Sequence, residues 1–318
     1  MPSLSILVVG ATGNTGSSLV KHLSELISNS SSSSLDQQPW QIIALTRDAN
    51  STASKQLSQL NHVEVKEKDW TTIDSTWLIE TKISRVYLAP HNLPHQFNDE
   101  SKFIVECKLA KINYLVKLST NIHYVTPDNP VYYGRAHWAA EHLLEQNEFK
   151  QLNWTVLRAN YFMSSLILPA LGWLKQNNTN NPLPLMLDEH APIAMIDPQD
   201  IGEVAAKLLS LEDPSSHFRK KYNLSGPEDV TGKDVVSILE QIIQKKIQVN
   251  YRDLTLFKAY IEKMGYSKSV SDSLESGRRD NLWIGLSRLE NTPTSPEILQ
   301  LAPPHSTIKQ FIQQAFNQ

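Results

Sequence analysis

An apolar run followed at once by a glycine-rich turn is the feature that most restricts the possible folds of this chain. Residues 4–9 read LSILVV, and the turn GATGNTG then places glycines at Gly10, Gly13 and Gly16 before a helical pattern begins. A strand, this glycine spacing and a helix in succession are typical of a dinucleotide-binding loop. An ordinary glycine-rich turn is the alternative, but the whole chain has only 11 glycines. The segment therefore predicts a parallel α/β sheet with a phosphate-binding loop.

The residues of this loop have separate expected roles. Gly10 makes the tight exit from the strand, Gly13 lets the backbone approach a pyrophosphate, and Gly16 lets the helix pack closely on the sheet. The helix N-terminus adds amide donors and the positive end of the helix dipole. Polar residues of the loop can add side-chain hydrogen bonds to phosphate or ribose: Thr12, Asn14 and Thr15.

The first half of the chain alternates short apolar runs with helical patterns, which predicts a doubly wound parallel sheet of the Rossmann type. The predicted strands are residues 4–9, 41–46, 62–65, 84–90, 114–119 and 154–159. Beyond residue 160 longer loops with proline and asparagine separate isolated helices and strands, which predicts a smaller C-terminal α+β lobe. We therefore expect an NADP-binding domain over residues 1–160 and a substrate-binding lobe over 161–318, with some lobe elements returning to the sheet. The serine-rich residues 28–39 are expected to form a surface loop.

Several helix boundaries in the second half can be predicted from capping residues. Asp197 followed by Pro198 is a typical start, and Thr231 begins a second apolar helical pattern. Ser306 is the expected N-cap of the last helix.

Composition excludes several classes of function. A net charge of -3 and a pI of about 6.4 give no general attraction to nucleic acid. No apolar run approaches the roughly 20 residues that span a bilayer, and the N-terminus leaves no room for a signal peptide. The single cysteine, Cys107, lies in a pattern typical of a buried helix face, so a reducing cytoplasmic setting is expected. The ten histidines lack the spacing of a metal hydrolase, and no metal site is predicted.

The end of the second predicted strand indicates which dinucleotide binds. An NAD enzyme usually has a carboxylate there for the ribose hydroxyls, whereas this chain has Arg47. A guanidinium can bind a 2′-phosphate through two hydrogen bonds, so NADP(H) is favoured. The alternative is a solvated Arg47 paired with Asp48. Other residues expected at the cofactor follow the third and fourth strands: Asp69 near the adenine, and Ala89 and Pro90 beside the cleft.

These segments, taken in order, resemble the NmrA-like family of atypical short-chain dehydrogenase/reductases. The resemblance is carried by ILVVGATGNTG, ALTRD, VYLAP, WTVLRANYFMSSL and AMIDPQDIGEVAAKLL, and it covers most of the chain. The segment LSGPEDVTGKDVVSILEQIIQKKI is similar to the fungal branch that includes the festuclavine and agroclavine dehydrogenases. The resemblance implies an NADP-binding Rossmann domain with a small lobe over the nicotinamide. It also implies one of two behaviours, reduction of C=C, C=N or C=O bonds, or catalytically silent sensing of NADP(H) with regulation of a protein partner.

The helix after the fifth strand is the expected catalytic helix of such a fold. The resemblance to short-chain enzymes assigns Ser119 to the strand end, and Tyr133 and His137 to a Tyr-x-x-x-Lys pattern whose lysine is absent. An imidazole can bind ribose or relay a proton, but it cannot be a permanent cation. This substitution favours acceptors that need little proton donation, such as an iminium or an activated alkene. Alternatively, the tyrosine and the histidine serve only to pack the helix.

The residues after the sixth strand are expected at the carboxyl end of the sheet, where ligands bind. Tyr161 is predicted to contact the cofactor, while Asn160, Phe162 and Met163 are predicted to line an apolar substrate site. A core cluster is the alternative for Phe162 and Met163. The leading hypothesis is an NADPH-dependent reductase of a small, largely apolar molecule.

Overall fold

The computed structural model describes residues 5–29, 40–177 and 181–317, and over these residues it has the expected α/β architecture. Seven parallel strands form one sheet in the order β3-β2-β1-β4-β5-β6-β8, and β7 pairs with β9 in a small second sheet. The strands are β1 (Ser5–Val9), β2 (Gln41–Thr46), β3 (Val63–Glu67), β4 (Ile83–Leu88), β5 (Tyr114–Ser119), β6 (Trp154–Ala159), β7 (Leu183–Leu185), β8 (Lys220–Leu224) and β9 (Val249–Tyr251). The predicted Rossmann sheet is confirmed.

Helices cover both faces of the large sheet, as in a doubly wound fold. They are α1 (Gly16–Asn29), α2 (Thr52–Leu57), α3 (Ser75–Glu80), α4 (Gln96–Leu109), α5 (Tyr132–Glu145), α6 (Met163–Asn177), α7 (Pro198–Ser210), α8 (Gly232–Ile243), α9 (Thr255–Lys263), α10 (Lys268–Asp280), α11 (Pro296–Leu301) and α12 (Ile308–Asn317). Helices α1 and α7 pack on one face, and α3, α4 and α5 on the other. No helix among the described residues is long and apolar enough to cross a bilayer.

The central strands are buried along their whole length because helices cover both faces. Every residue of β1, β4 and β5 is buried, which explains their nearly continuous apolar sequences. Cys107 of α4 is also fully buried, as its pattern predicted. The exception in β5 is Lys117, a charged residue with no exposed surface. A lysine in such a position must be paired, and its partners belong to the candidate site.

The second half of the chain contributes to both the sheet and the lobe. Strand β8 pairs with β6, and α7 packs against α1, although both follow residue 161. The remaining lobe has its own core, built mainly from α6, α8, α12 and the small sheet. A boundary at residue 160 therefore separates two parts of the sequence. In the structure the two parts pack together, because β8 and α7 of the second part join the sheet of the first.

The predicted helix starts are mostly correct. The Asp197 side chain accepts from Gln199 N at the start of α7, and Thr231 forms a capping box with Asp234. The Ser306 prediction is wrong by one residue, because Thr307 Oγ1 accepts from Gln310 N at 3.3 Å. Ser306 Oγ instead donates to a carboxylate on α7. Of the predicted serine-rich loop at 28–39, Ser28 and Asn29 end α1 and residues 30–39 lie outside the described residues.

Candidate functional site

The glycine-rich loop has the backbone geometry of a phosphate cradle. Gly10 has φ +81°, a conformation that side chains disfavour, and the amide of Gly13 donates to Gly10 O at 2.9 Å. A Cβ atom on Gly16 would lie 2.1 Å from Gly10 O, so only glycine fits there without a backbone shift. Gly13 and Asn14 are exposed. The loop is therefore tight inside and open on the side from which a phosphate would approach.

The polar residues of the loop face in different directions. Thr15 is buried, and its Oγ1 accepts a hydrogen bond of 2.8 Å from the Tyr87 hydroxyl, which ties the loop to β4. Thr12 is half-buried, and with Gly13 and Asn14 it lines a cavity of about 410 Å³. This cavity continues between α1 and the residues of α7 and α12. Thr12 and Asn14 are thus accessible to a ligand, whereas Thr15 supports the loop from inside.

Arg47 is exposed directly after β2. Asp48 Oδ1 accepts from Asn50 N at 2.8 Å, and no ion pair joins Arg47 to any residue in the described part of the chain. The proposed pairing with Asp48 is therefore not seen. Asp69 caps a short turn by accepting from Thr71 N at 2.9 Å, and this hydrogen bond, helped by the Arg47 charge, lowers the pKa of its carboxyl.

Ala89 and Pro90 follow β4 at the same edge of the sheet. Both are half-buried, and the Ala89 amide lies 3.4 Å from Val9 O at the end of β1. They stand at the point where the strand order reverses between β1 and β4, which is where such folds bind dinucleotides.

The face of α5 that carries His137 is directed into the protein. His137 is 3% exposed, and its Nδ1 lies 3.0 Å from Nζ of Lys117. The Gln96 side-chain amide lies 3.2 Å from His137 Nε2, and Lys117 Nζ lies 2.8 Å from a carboxylate oxygen of Glu100. Burial, and then the Lys117 charge, hold the pKa of His137 well below its usual value. His137 is therefore neutral and accepts from a buried ammonium group.

Ser119 belongs to a second buried network. Its Oγ donates to Glu141 Oε1 at 2.7 Å, and Glu141 also pairs with Arg158 at 2.6 Å and Lys221 at 3.4 Å. Burial alone would raise the pKa of Glu141, but the hydrogen bonds and charge of Arg158, together with the Lys117 charge and the Ser119 hydrogen bond, outweigh burial and lower the pKa. This network joins β5, α5, β6 and β8, so in the described structure the Ser119 hydroxyl is occupied by a carboxylate.

A group that we call the tyrosine–arginine cluster lies beyond the ends of β5 and β6, and it consists of Tyr124, Tyr133, Tyr161 and Arg278. The ring centroids of Tyr124 and Tyr133 are 5.7 Å apart, and those of Tyr124 and Tyr161 are 6.0 Å apart. The hydroxyls of Tyr124 and Tyr161 contact each other, and burial raises the pKa of both. Both phenols are therefore protonated near neutral pH and act as hydrogen-bond donors.

Asn160 lies at the junction between the sheet and the lobe. Its Nδ2 lies 3.0 Å from each of three acceptors, on Ser225, Ser287 and Thr292, and its Oδ1 accepts from Asn121 at 2.7 Å. Met163 is 1% exposed in the lobe core, and Phe162 packs against the main core. The structure thus brings Tyr161 into the tyrosine–arginine cluster and gives the other three residues protein partners. Substrate contact by Asn160, Phe162 and Met163 stays a prediction.

A model of the NmrA-like family matches residues 2–306, which is nearly the whole chain. The chain belongs to the NmrA-like family. Among its relatives is an NAD(P)H azoreductase from Xenophilus azovorans, 25% identical over 269 residues that cover 85% of this chain and 84% of the relative.

Solved structures similar to this NmrA-like protein include two reductases. One is an NADPH-dependent quinone oxidoreductase from Escherichia coli complexed with NADPH, with a TM-score of 0.71, 19% identity, and coverage of 98% of this chain and 100% of the other. The second is the Citrobacter sp. triphenylmethane reductase complexed with NADP(H), with a TM-score of 0.70, 18% identity, and coverage of 98% and 100%. At these identities the likeness establishes the fold.

Three residues of this NmrA-like protein were missed by reasoning from the sequence: Lys117, Tyr124 and Arg278. For Lys117 a signal was present, because a lysine in the middle of a strand buried on both faces requires an acidic or imidazole partner. Tyr124 follows β5 at the edge where ligands bind, which is a weaker signal. Arg278 lies on α10, far along the chain from the strands that it approaches, and no local pattern indicated its position.

Two groups of histidines and carboxylates bring possible metal-ligand atoms close together, one of them directly after Pro90. His91, His95 and Asp99 have ligand atoms within 4.8 Å of one another. His91 Nδ1 accepts from Leu93 N at 3.2 Å, so neutral His91 carries its proton on Nε2 and donates it to Asp99 at 3.0 Å. In the other group, Asp200 accepts from backbone amides and a serine hydroxyl before α12. Hydrogen bonds within the protein account for both groups.

Proposed function

We propose that this protein is an NADPH-dependent oxidoreductase that transfers hydride to a small, largely apolar acceptor. The observation that carries the proposal is the placement of three features along one edge of the sheet. The glycine cradle follows β1, the unpaired Arg47 follows β2, and the tyrosine–arginine cluster lies beyond β5 and β6. This order matches the order of groups along an extended NADP molecule, which has the 2′-phosphate at one end, the pyrophosphate in the middle and the nicotinamide at the other end.

The residues at this edge fit NADP(H). The backbone from Gly10 to Gly16 receives the pyrophosphate, because the cradle is tight and open and leads into the α1 N-terminus. Arg47 binds the 2′-phosphate, and Asp69 lies near it to meet the adenine. Ala89 and Pro90 form the wall of the cleft. When bound, NADPH supplies a hydride with its electron pair to an acceptor at the cluster.

The chain's own residues then have distinct tasks. Tyr133 and Tyr161 contact the acceptor or the cofactor and donate hydrogen bonds from their phenol groups. His137 positions the helix and does not contact the acceptor. Lys117 and Gln96 hold its imidazole inside the protein, and this contact fixes the orientation of the α5 face that carries Tyr133. Ser119, held by Glu141, fixes the end of β5 beside the same helix. A neutral, buried imidazole adds no positive charge, so acceptors that take up hydride without an accompanying proton transfer are favoured.

Relatives supply the candidate acceptors, since their names describe reduction of azo compounds, quinones and triphenylmethane dyes. All of these take up two electrons as a hydride equivalent at a conjugated centre. The segment similar to the clavine dehydrogenases, residues 224–247, adds cyclic iminium ions to the range. The proposed substrate class is therefore conjugated C=O, C=C, N=N or C=N compounds rather than simple ketones.

Acceptor-dependent oxidation of NADPH tests this proposal directly. The purified chain is mixed with NADPH and, separately, with a naphthoquinone, an azo dye, a cationic triphenylmethane dye and a cyclic iminium, and absorbance at the NADPH band is followed. At least one acceptor should give saturable turnover that requires NADPH. Tight binding of NADPH without turnover of any acceptor would contradict the reductase assignment.

The second candidate is a protein that senses NADP(H) and regulates a partner. It is favoured by the absence of the helix lysine and by the inward orientation of His137. Affinity capture from cell extract, repeated with and without NADP(H), separates the two functions. A sensor should retain a different partner when the cofactor is present, because the two ligands are energetically coupled. A reductase should show turnover and no such dependence.

A further inference from the structure

Helix α10 places a cation without an acidic partner inside a group of phenol side chains. The Arg278 guanidinium lies 4.4 Å above the Phe257 ring, and Tyr133 is one of its hydrogen-bond partners. No carboxylate pairs with Arg278 among the residues that the structure describes, whereas the adjacent Arg279 pairs with Glu275 at 3.6 Å. Arg278 Nε is buried and, within the described chain, has no hydrogen-bond partner. A half-buried cation with a buried nitrogen in this state attracts negative charge.

Contacts of α10 fix this cation at the acceptor end of the cleft. Ser273 Oγ accepts from the Tyr132 amide at 2.7 Å, which ties α10 to the first turn of α5. The Tyr124 hydroxyl donates to Gly277 O at 2.7 Å, one residue before Arg278. A Cβ on Gly277 would lie 2.5 Å from Val131 Cγ2, so α10 and α5 are in close contact here. The guanidinium therefore belongs to the same site as the tyrosines that follow β5 and β6.

We propose that Arg278 makes this site selective for the charge of the acceptor, so that it favours neutral quinones, which become oxyanions on reduction, and disfavours cationic dyes. The inference rests on the proposed reductase function and names the substrate class of that same site. Arg278 acts by stabilising the oxygen that becomes negative, together with the protonated phenols around it. Residues that bind a developing oxyanion typically contribute about 100-fold to turnover.

The chemistry of the two acceptor classes gives opposite expectations for this cation. A quinone takes the hydride and its electron pair from the reduced nicotinamide, whose C–H bond breaks as NADP⁺ forms. The quinone becomes a hydroquinone monoanion, which then takes one proton from solvent. A triarylmethyl cation takes the same hydride on its central carbon and becomes a neutral molecule. The guanidinium therefore stabilises the reduced form in the first case and repels the oxidised form in the second.

Two variants with a matched control test the inference by kinetics. Arg278→Met removes the charge and keeps a long apolar side chain on Phe257, whereas Arg278→Lys keeps the charge. Arg279→Met removes the adjacent exposed cation as the control. With menadione, kcat/KM should fall about 100-fold in Arg278→Met and less in Arg278→Lys. With crystal violet, kcat/KM should stay the same or increase in Arg278→Met, and Arg279→Met should match the wild type with both acceptors.

A binding measurement tests the same charge without turnover. 4-Nitrophenol is bound to the NADP⁺ complex, and its ionisation is followed through the absorbance of the phenolate as pH is varied. The guanidinium should lower the pH of ionisation of bound nitrophenol by about one unit or more relative to Arg278→Met. Thermal unfolding of each variant confirms that it is folded.

The inference is overturned if Arg278→Met lowers kcat/KM equally for menadione and crystal violet, or if bound nitrophenol ionises at the same pH in wild type and variant. If the wild type reduces neither acceptor, the azo dye and the cyclic iminium decide the proposed function, and the nitrophenol titration alone decides whether Arg278 forms an oxyanion site.

Discussion

Arg47 is the residue that we propose determines the choice between NADPH and NADH. Its side chain is exposed and has no ion-pair partner in the described part of the chain. We expect Arg47→Ala to weaken NADPH binding by about 10- to 100-fold, because a charge-assisted hydrogen bond contributes roughly 1.5–3 kcal/mol. NADH binding should change little, since NADH has no 2′-phosphate. Titration of protein fluorescence with each cofactor measures both affinities.

The control for Arg47 is another exposed cation outside the cleft. Lys55 of α2 is exposed, and Lys55→Ala should leave both affinities unchanged. An equal loss of NADPH and NADH affinity in Arg47→Ala would show that Arg47 supports the loop rather than the phosphate.

His137 should make the stability of the protein depend on pH. Its pKa is held well below the ordinary 6.5, so below that pH the unfolded chain binds a proton that the folded chain does not. Stability should therefore fall as pH decreases from about 7.5 to about 5, by up to about 1.4 kcal/mol per pH unit. Urea unfolding across this range, compared with His137→Gln, isolates the contribution.

The wild type and the His137→Gln variant share the other titratable groups that face position 137. Lys117 contacts the imidazole, and burial raises the pKa of Glu100, whose effect on stability has the opposite sign in acid. Only the difference between wild type and variant reports on His137. A difference that is the same at every pH would mean that His137 binds its proton equally well in the folded and the unfolded protein.

At the scale of elements, the connection from β1 to α1 depends on the absence of a side chain at Gly16. A methyl group there would lie 2.1 Å from Gly10 O, so the loop or the helix must move. We expect Gly16→Ala to lower the free energy of unfolding by about 2 kcal/mol and to weaken NADPH binding, because strain of this kind typically costs 1–3 kcal/mol. Urea unfolding and cofactor titration measure the two effects.

Gly172 in α6 provides the matched glycine-to-alanine control. A Cβ there would meet no atom within 4 Å. Gly172→Ala should stabilise the protein by about 0.5–1 kcal/mol, since alanine is the better helix former. Unchanged stability and affinity in Gly16→Ala would contradict the close packing of the cradle.

At the scale of the whole molecule, the Rossmann sheet is completed by residues from the second half of the chain. Strand β8 covers the edge of β6, and α7 covers apolar residues of α1 that include Leu19 and Leu23. A chain that ends at residue 160 exposes both surfaces. We expect it to lack a cooperative urea transition in circular dichroism and to bind a hydrophobic dye.

The full chain is the reference for this truncation and should unfold cooperatively under the same conditions. A sharp transition in the shortened chain would mean that residues 1–160 form an independent domain, and the interface of β8 and α7 would then be secondary to the stability of the sheet.

The sequence by itself determined the features that depend on neighbours a few residues apart. Strands β2, β5 and β6 have the bounds that their apolar runs predicted, and the caps Asp197 and Thr231 start their helices as expected. The glycine spacing predicted the cradle, because the backbone conformation at Gly10 and the close packing at Gly16 both depend on residues a few positions away. The Ser306 cap was displaced by one residue because Asp200, distant in sequence, takes its hydroxyl.

Only the tertiary structure decided which polar side chains face the cleft and which face the core. Helical spacing placed Tyr133 and His137 on one face of α5, but it did not reveal that Lys117 and Glu100 occupy the space opposite that face. It likewise gave no indication that α10 carries Arg278 to the tyrosines that follow β5 and β6. These contacts join segments that are far apart in the chain, and their geometry depends on packing rather than on the period of any one element.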